Sequence, residues 1–124
     1  MLYLSVFLGG GLGSVLRFYL SGLSFTSLDH LKLPTMFVNI LGSAILGVLV
    51  SLLADNKISQ THFVLFAVGF CGGLTTFSTF IYDFYSVAKQ YSISYASLYA
   101  LASLAFGFAA FFSLYTLTIK WINA

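Results

Sequence analysis

The sequence predicts an all-α membrane protein: four transmembrane helices, the third broken near its middle, assembling as an antiparallel homodimer. Three observations carry that fold class. Of 124 residues, 60% are hydrophobic and only 6% are charged, and the mean hydropathy is +1.00. A water-soluble domain carries about 25% charged residues, so this chain cannot cover a surface that faces water. Apolar runs at about 2–22, 34–54, 63–88 and 95–121 are each long enough to cross a hydrocarbon core of about 30 Å at about 1.5 Å per residue. The third run is interrupted by Gly69-Phe-Cys-Gly-Gly-Leu-Thr-Thr-Phe-Ser-Thr-Phe80, which places glycines and then hydroxyls where a membrane helix should continue.

Polar clusters separate the spans: Asp29-His30-Leu31-Lys32, Asp55-Asn56-Lys57 and Lys89-Gln90-Tyr91-Ser92. Such short loops make successive helices antiparallel neighbours, and residues 1–124 read as a single four-span membrane domain. No positive region precedes the first apolar run, so it is expected to stay in the mature protein as a span. The net charge of +2 is too small and scattered for nucleic-acid binding. A single cysteine, Cys71, excludes an intrachain disulfide and a cysteine-based metal cluster; it reads as a small apolar filler beside Gly72.

Four spans put both termini on one side, with Lys57 and Lys120. The other side carries Lys32 and Lys89, with Arg17 near the far end of span one. Two against three is almost no bias, and Lys/Arg asymmetry is what normally fixes orientation. The balance permits insertion both ways, for which the natural assembly is an antiparallel homodimer. A single orientation held by weak signals is the alternative that charge counting leaves open.

Span one places Gly9 and Gly13 in small-xxx-small spacing, which lets helix backbones approach closely in lipid. Arg17 lies one turn beyond Gly13 on the same face. It has two readings: a side chain that snorkels to the headgroups, or a positive vestibule that concentrates anions. Span two begins at Pro34, a good first helical residue, and aligns Thr35, Asn39, Gly42, Ser43 and Leu46 on one stripe. Deep in a span, the amide of Asn39 needs partners. It is either interhelical glue or a donor lining a path.

In span three, a stop near Gly72 and a restart near Thr76 would bring two sets of free backbone groups together. The carbonyls at the end of the first half suit a cation, and the N–H groups opening the second suit an anion. The carbonyls of Gly72 and Thr75 are natural ligands for a hard cation. Phe77, Phe80 and Phe84 follow at i, i+3, i+7. Such a stripe is commonly packing, but phenyl edges are electropositive and can face an anion. Ser78 and Thr79 add hydroxyls, and Asp83 is expected to reach the interface or pair with Arg17. Span four aligns Tyr99, Ser103, Phe106 and Gly107, and Trp121 beside Lys120 reads as an interfacial anchor. His30 and His62 lie in loops without a second ligand at i+3 or i+4, so neither is a metal site.

No Ser/His/Asp or Cys/His set converges, so enzyme activity is not expected. A proton-coupled transporter needs an ionisable group deep within a span, and the middles of spans one, two and four have none. Passive conduction along hydroxyls, an amide and ring edges fits better. One small bundle has little room for a pore, which places the path at or near a subunit interface.

At these residues the chain resembles the Fluc (CrcB) family of fluoride channels. Gly72-Gly-Leu-Thr-Thr-Phe-Ser-Thr-Phe80 is similar to the family's signature. Val38-Asn39-Ile-Leu-Gly42 and the Gly11 to Phe18 stretch ending in Arg17-Phe18 are similar to its other two motifs. The resemblance implies an antiparallel dual-topology homodimer in a microbial plasma membrane, exporting toxic fluoride along two narrow pathways. It implies a central sodium ion, structural and not transported, on the backbone carbonyls of Gly72 and Thr75 from both subunits. It also places Asn39, Phe77, Ser78, Thr79, Phe80, Tyr99 and Ser103 along the anion pathway and Arg17 at a vestibule. Gly107, one turn after Ser103, departs from the expected run of hydroxyls.

Two readings from other classes compete. A small dual-topology drug/proton antiporter has similar length and span number, but it needs a carboxylate in span one, where this chain has glycines and Ser14. A non-conducting membrane assembly protein would use Asn39 and the hydroxyls only as glue.

Overall fold

The computed structural model describes residues 1–22 and 32–124. The expectations placed on Asp29, His30 and Leu31 lie outside the described residues. Among the described residues four long helical spans are present, Leu2–Ser21, Leu33–Ala54, Gln60–Gln90 and Ile93–Ile122, each long and apolar enough to cross a membrane. They match the four expected runs to within three residues at each end. We label Leu2–Ser21 α1 and Leu33–Ala54 α2. The first half of the third span, 60–74, is α3, and its second half, Phe77–Gln90, is α4. Ile93–Ile122 is α5.

The helix starts follow from hydroxyl caps. Ser59, Thr76 and Ser92 each take an extended backbone and accept from the N–H three residues on, at His62, Thr79 and Tyr95. Such a cap satisfies one of the donors that every helix leaves open at its N-terminus. In α2, Pro34 occupies the first turn, where its missing N–H costs nothing.

Packing in lipid has no hydrophobic drive and depends on close approach. α1 lies against α3 and α2 against α5, while α4 leans on α5. The α1–α3 seam is made of glycine on both sides. A Cβ on Gly9 would sit 2.9 Å from the Phe70 nitrogen, one on Gly13 would sit 2.8 Å from the Leu74 nitrogen, and one on Gly73 would sit 3.0 Å from the Gly10 Cα. The small-xxx-small spacing is thus a packing device, and Gly69 and Gly73 complete it from the other helix. The opposite face of α1 carries Tyr3, Phe7, Leu12 and Phe18, all more than half exposed; in a bilayer these meet acyl chains. Val38 and Leu74 are fully buried between the helices.

The third span is broken, restarting at Thr76 as expected but stopping two residues beyond Gly72. Gly72 stays helical at φ −62°, ψ −36°, and its helix continues through Leu74. Thr75 (φ −79°, ψ 154°) and Thr76 (φ −148°, ψ 117°) form the extended link before α4. The physical reason is that Gly69 and Gly73 serve the seam with α1, while a β-branched threonine pair favours extended backbone and brings hydroxyls that bond locally. Before the break, Val64–Cys71 winds as a π-helix, a form frequent at functional sites.

Candidate functional site

The site is the Thr75–Thr76 link and what holds it. The Asn39 side chain on α2 reaches across and brackets one residue. Its Oδ1 accepts from the Thr76 N–H at 2.8 Å, and its Nδ2 donates to the Thr76 carbonyl at 3.2 Å. The amide thus takes over both backbone groups of the residue at the break, which lipid could not satisfy. Thr76 is the hub on the chain's own side. Its Oγ1 accepts from the Thr79 N–H at 3.2 Å and donates to the Thr79 hydroxyl at 3.1 Å, with Ser78 Oγ 3.3 Å away.

Each of these bonds frees a carbonyl. In an unbroken helix the Thr76 N–H would serve the Gly72 carbonyl, and the Thr79 N–H would serve the Thr75 carbonyl. Here both donors are taken, by Asn39 and by the Thr76 hydroxyl. The ladder ends one step earlier, where the Thr75 N–H and hydroxyl both donate to the Cys71 carbonyl at 2.9 Å. The carbonyls of Gly72 and Thr75 are left as oxygen donors without a helical partner. Gly72 is exposed, and a Cβ there would meet nothing within 4 Å, so its backbone is open to approach. Oxygen donors of this kind suit a hard cation. No cluster of three or more His, Cys, Asp or Glu side chains offers a rival site among the described residues.

A groove of about 570 Å³ runs past this link, and it gathers Asn39, Gly72, Thr75, Phe77, Phe80 and Ser103. The Phe77 and Phe80 rings are 5.9 Å apart, and Phe80 lies 5.5 Å from the Tyr99 ring, tilted by 31°. Tyr99 therefore joins through Phe80. Ser78 and Thr79 lie outside the groove wall, exposed and tied to Thr76. Arg17 stands apart on α1, and no ion pair involves it among the described residues.

Asp83 departs from expectation. It neither reaches the interface nor pairs with Arg17; it is 6% exposed, with Thr35, Lys32 and Tyr99 as polar neighbours. Its Oδ2, the Tyr99 hydroxyl and the Ser103 hydroxyl are buried as neighbours, interacting with one another but none in hydrogen-bonding geometry with a partner among the described residues. One turn beyond Phe80, Asp83 follows the buried face of α4 inward rather than outward. That spacing was the available signal for it. Thr76 had no such signal, because its role depends on a partner 37 residues away.

The family described as "CrcB-like protein, Camphor Resistance (CrcB)" matches the chain over residues 4–114. The chain belongs to the CrcB family. This CrcB chain is similar to a protein of Gloeothece citriformis named "Fluoride-specific ion channel FluC", 43% identical over 110 residues, covering 88% of this chain and 89% of the relative. A relative of the same name from Serratia proteamaculans is 36% identical over 121 residues, covering 97% and 94%. Another of that name, from Thermus thermophilus, is 40% identical over 111 residues, covering 88% and 89%. The three motif stretches, with Arg17, Asn39 and the Thr75–Thr76 break, all fall inside the region that the family matches.

Proposed function

We propose that this CrcB chain is a passive, fluoride-selective channel in the cell membrane, exporting fluoride from the cytoplasm and so protecting against its toxicity. The observation that carries the choice of ion is its 36–43% identity, over most of its length, to relatives named for a fluoride-specific channel. The groove supplies the path. A small anion holds its water tightly and must be offered donors as that water is removed. The hydroxyl of Ser103 is buried without a hydrogen-bond partner among the described residues, and Phe77 and Phe80 line the same groove, where their electropositive edges would face the ion. Ring edges attract an anion without the strong binding of a full positive charge, which keeps the ion moving. Asn39 lends the path its shape by holding the break open, and its second Nδ2–H remains to face the ion. Ser78, Thr79 and Tyr99 continue the polar track on either side of Phe80, and Arg17 raises the local anion concentration at a vestibule.

The functional unit of this reading is an antiparallel homodimer. The groove is open on one side in a single chain, and the near-balance of Lys and Arg between the two faces permits insertion both ways. A two-fold axis would bring the freed carbonyls of Gly72 and Thr75 together with their copies, giving four oxygens from two chains. They fit a structural sodium ion, which would neutralise carbonyl dipoles that otherwise repel one another where the two copies meet. The freed carbonyls support that fit, since two orphaned backbone oxygens at membrane depth require a partner. Fluoride and the lipid bilayer complete the set of partners.

The test is fluoride efflux from liposomes that hold the purified protein, followed with a fluoride electrode. Efflux in sodium, and its loss when sodium is replaced by a large organic cation, is the expected result. No efflux at any sodium concentration would sink the channel reading.

A further inference from the structure

We propose that Ser43, on α2, is an anion-contacting residue of the groove, working across a side-chain gap left by Gly107 on α5. The inference rests on the channel reading above.

The groove's polar side chains divide into those that are occupied and those that are not. Asn39 brackets Thr76, Thr75 Oγ1 donates to the Cys71 carbonyl, and Thr76 Oγ1 caps α4. Two further hydroxyls line the groove, and Ser43, like Thr75, bonds back to its own helix. Ser103 Oγ is buried and partnerless among the described residues. Ser43 Oγ donates to the Asn39 carbonyl one turn back at 2.8 Å, and that carbonyl also belongs to the helix ladder. This back-bond is local, and a hydroxyl carries only one proton, so a single rotation about χ1 would turn it from its own backbone toward the groove.

The gap tells where it would turn. A Cβ built on Gly107 would lie 3.6 Å from Ser43 Oγ and would meet no other heavy atom within 4 Å. The space beside Gly107 is therefore open, bordered by the Ser43 hydroxyl, and both residues line the groove. Ser103 lies one turn before Gly107 on the same face of α5. Ser43 Oγ thus borders the gap from the facing helix, with Ser103 one turn before it on α5. An anion there would draw the Ser43 proton away from the Asn39 carbonyl, because a hydrogen bond to a charged acceptor is the stronger one.

The experiment is fluoride efflux from liposomes for wild type, Ser43→Ala, Ser43→Cys and the pair Ser43→Ala with Gly107→Ser. Wild type is measured first. If it passes no fluoride, the channel reading itself falls. Given wild-type efflux, Ser43→Ala is expected to slow it about tenfold, the worth of one hydrogen bond to a charged group at the low end. Adding Gly107→Ser should restore most of the rate, because a hydroxyl placed there opens onto the same gap from the opposite helix. A purely structural Ser43 would not be rescued from α5. Wild-type efflux in Ser43→Ala overturns the proposal, as does a loss that Gly107→Ser leaves unrelieved in protein of normal size-exclusion profile. Should Ser43→Ala yield no folded protein, Ser43→Cys decides: it keeps the shape with a poorer donor, and efflux at the wild-type rate would likewise refute the role.

Discussion

Replacing Asn39 by aspartate and by alanine separates the two duties assigned to that side chain. Alanine removes both bonds to Thr76, at 2.8 and 3.2 Å, and leaves an N–H and a carbonyl orphaned at membrane depth. At about 1–3 kcal/mol for each unsatisfied group, alanine costs about 2–6 kcal/mol of stability. Aspartate can still accept from the Thr76 N–H and orphans only the carbonyl, so its structural cost is about half of that. Its electrostatic cost to an anion is larger. Two like charges about 4 Å apart at an effective dielectric of about 20 repel by about 4 kcal/mol, close to a thousandfold in occupancy. The two variants should therefore cross. Asn39→Ala should be the less stable protein, read from thermal unfolding in detergent, and Asn39→Asp the poorer conductor, read from fluoride efflux. If Asn39→Asp conducts like wild type, or if the alanine variant loses at least as much flux, Asn39 is only a brace and does not face the ion.

Other perturbations test separate parts of the account. Phe80→Ile keeps bulk but removes the ring that stands 5.9 Å from Phe77 and 5.5 Å from Tyr99; efflux should fall about tenfold while the size-exclusion profile is unchanged, and unchanged flux would remove ring edges from the path. Gly13→Ala pushes a methyl to 2.8 Å from the Leu74 nitrogen, so it should cost about 1–3 kcal/mol as overpacking and lower the unfolding temperature. Lys120→Cys tests dual topology against Cys71, which is 3% exposed and inert by burial. An impermeant thiol reagent should label about half of the Lys120→Cys chains from each face of the membrane, and labelling from one face alone would reject antiparallel insertion.

What the sequence disclosed depended on how local each feature is. The four spans were legible because apolar runs and polar punctuation are local, although the caps at Ser59 and Ser92 start their helices three and two residues before the apolar runs as read. The break in span three was legible, with its restart at Thr76 as read and its stop two residues beyond Gly72. Glycine signals either a backbone that turns or one that another backbone touches, and here Gly69 and Gly73 touch α1. Thr75 was read for its carbonyl and Thr76 as the restart, but not the extended link that the two form together. Asn39 stood out as a buried amide, yet its grip on Thr76 spans 37 residues and leaves no local trace. Asp83 misled for the opposite reason. An acid near a span's end suggests the headgroups, and only the packing of α4 on α5 turns it inward beside Tyr99. The antiparallel pairing rests on five basic residues and on an open groove.

The most direct measurement of the central claim loads liposomes with fluoride and chloride together, adds the purified protein in sodium, and follows both anions as they leave. Fluoride is expected to escape while chloride stays behind. Equal release of the two ions, or release of neither, would contradict a fluoride-selective path.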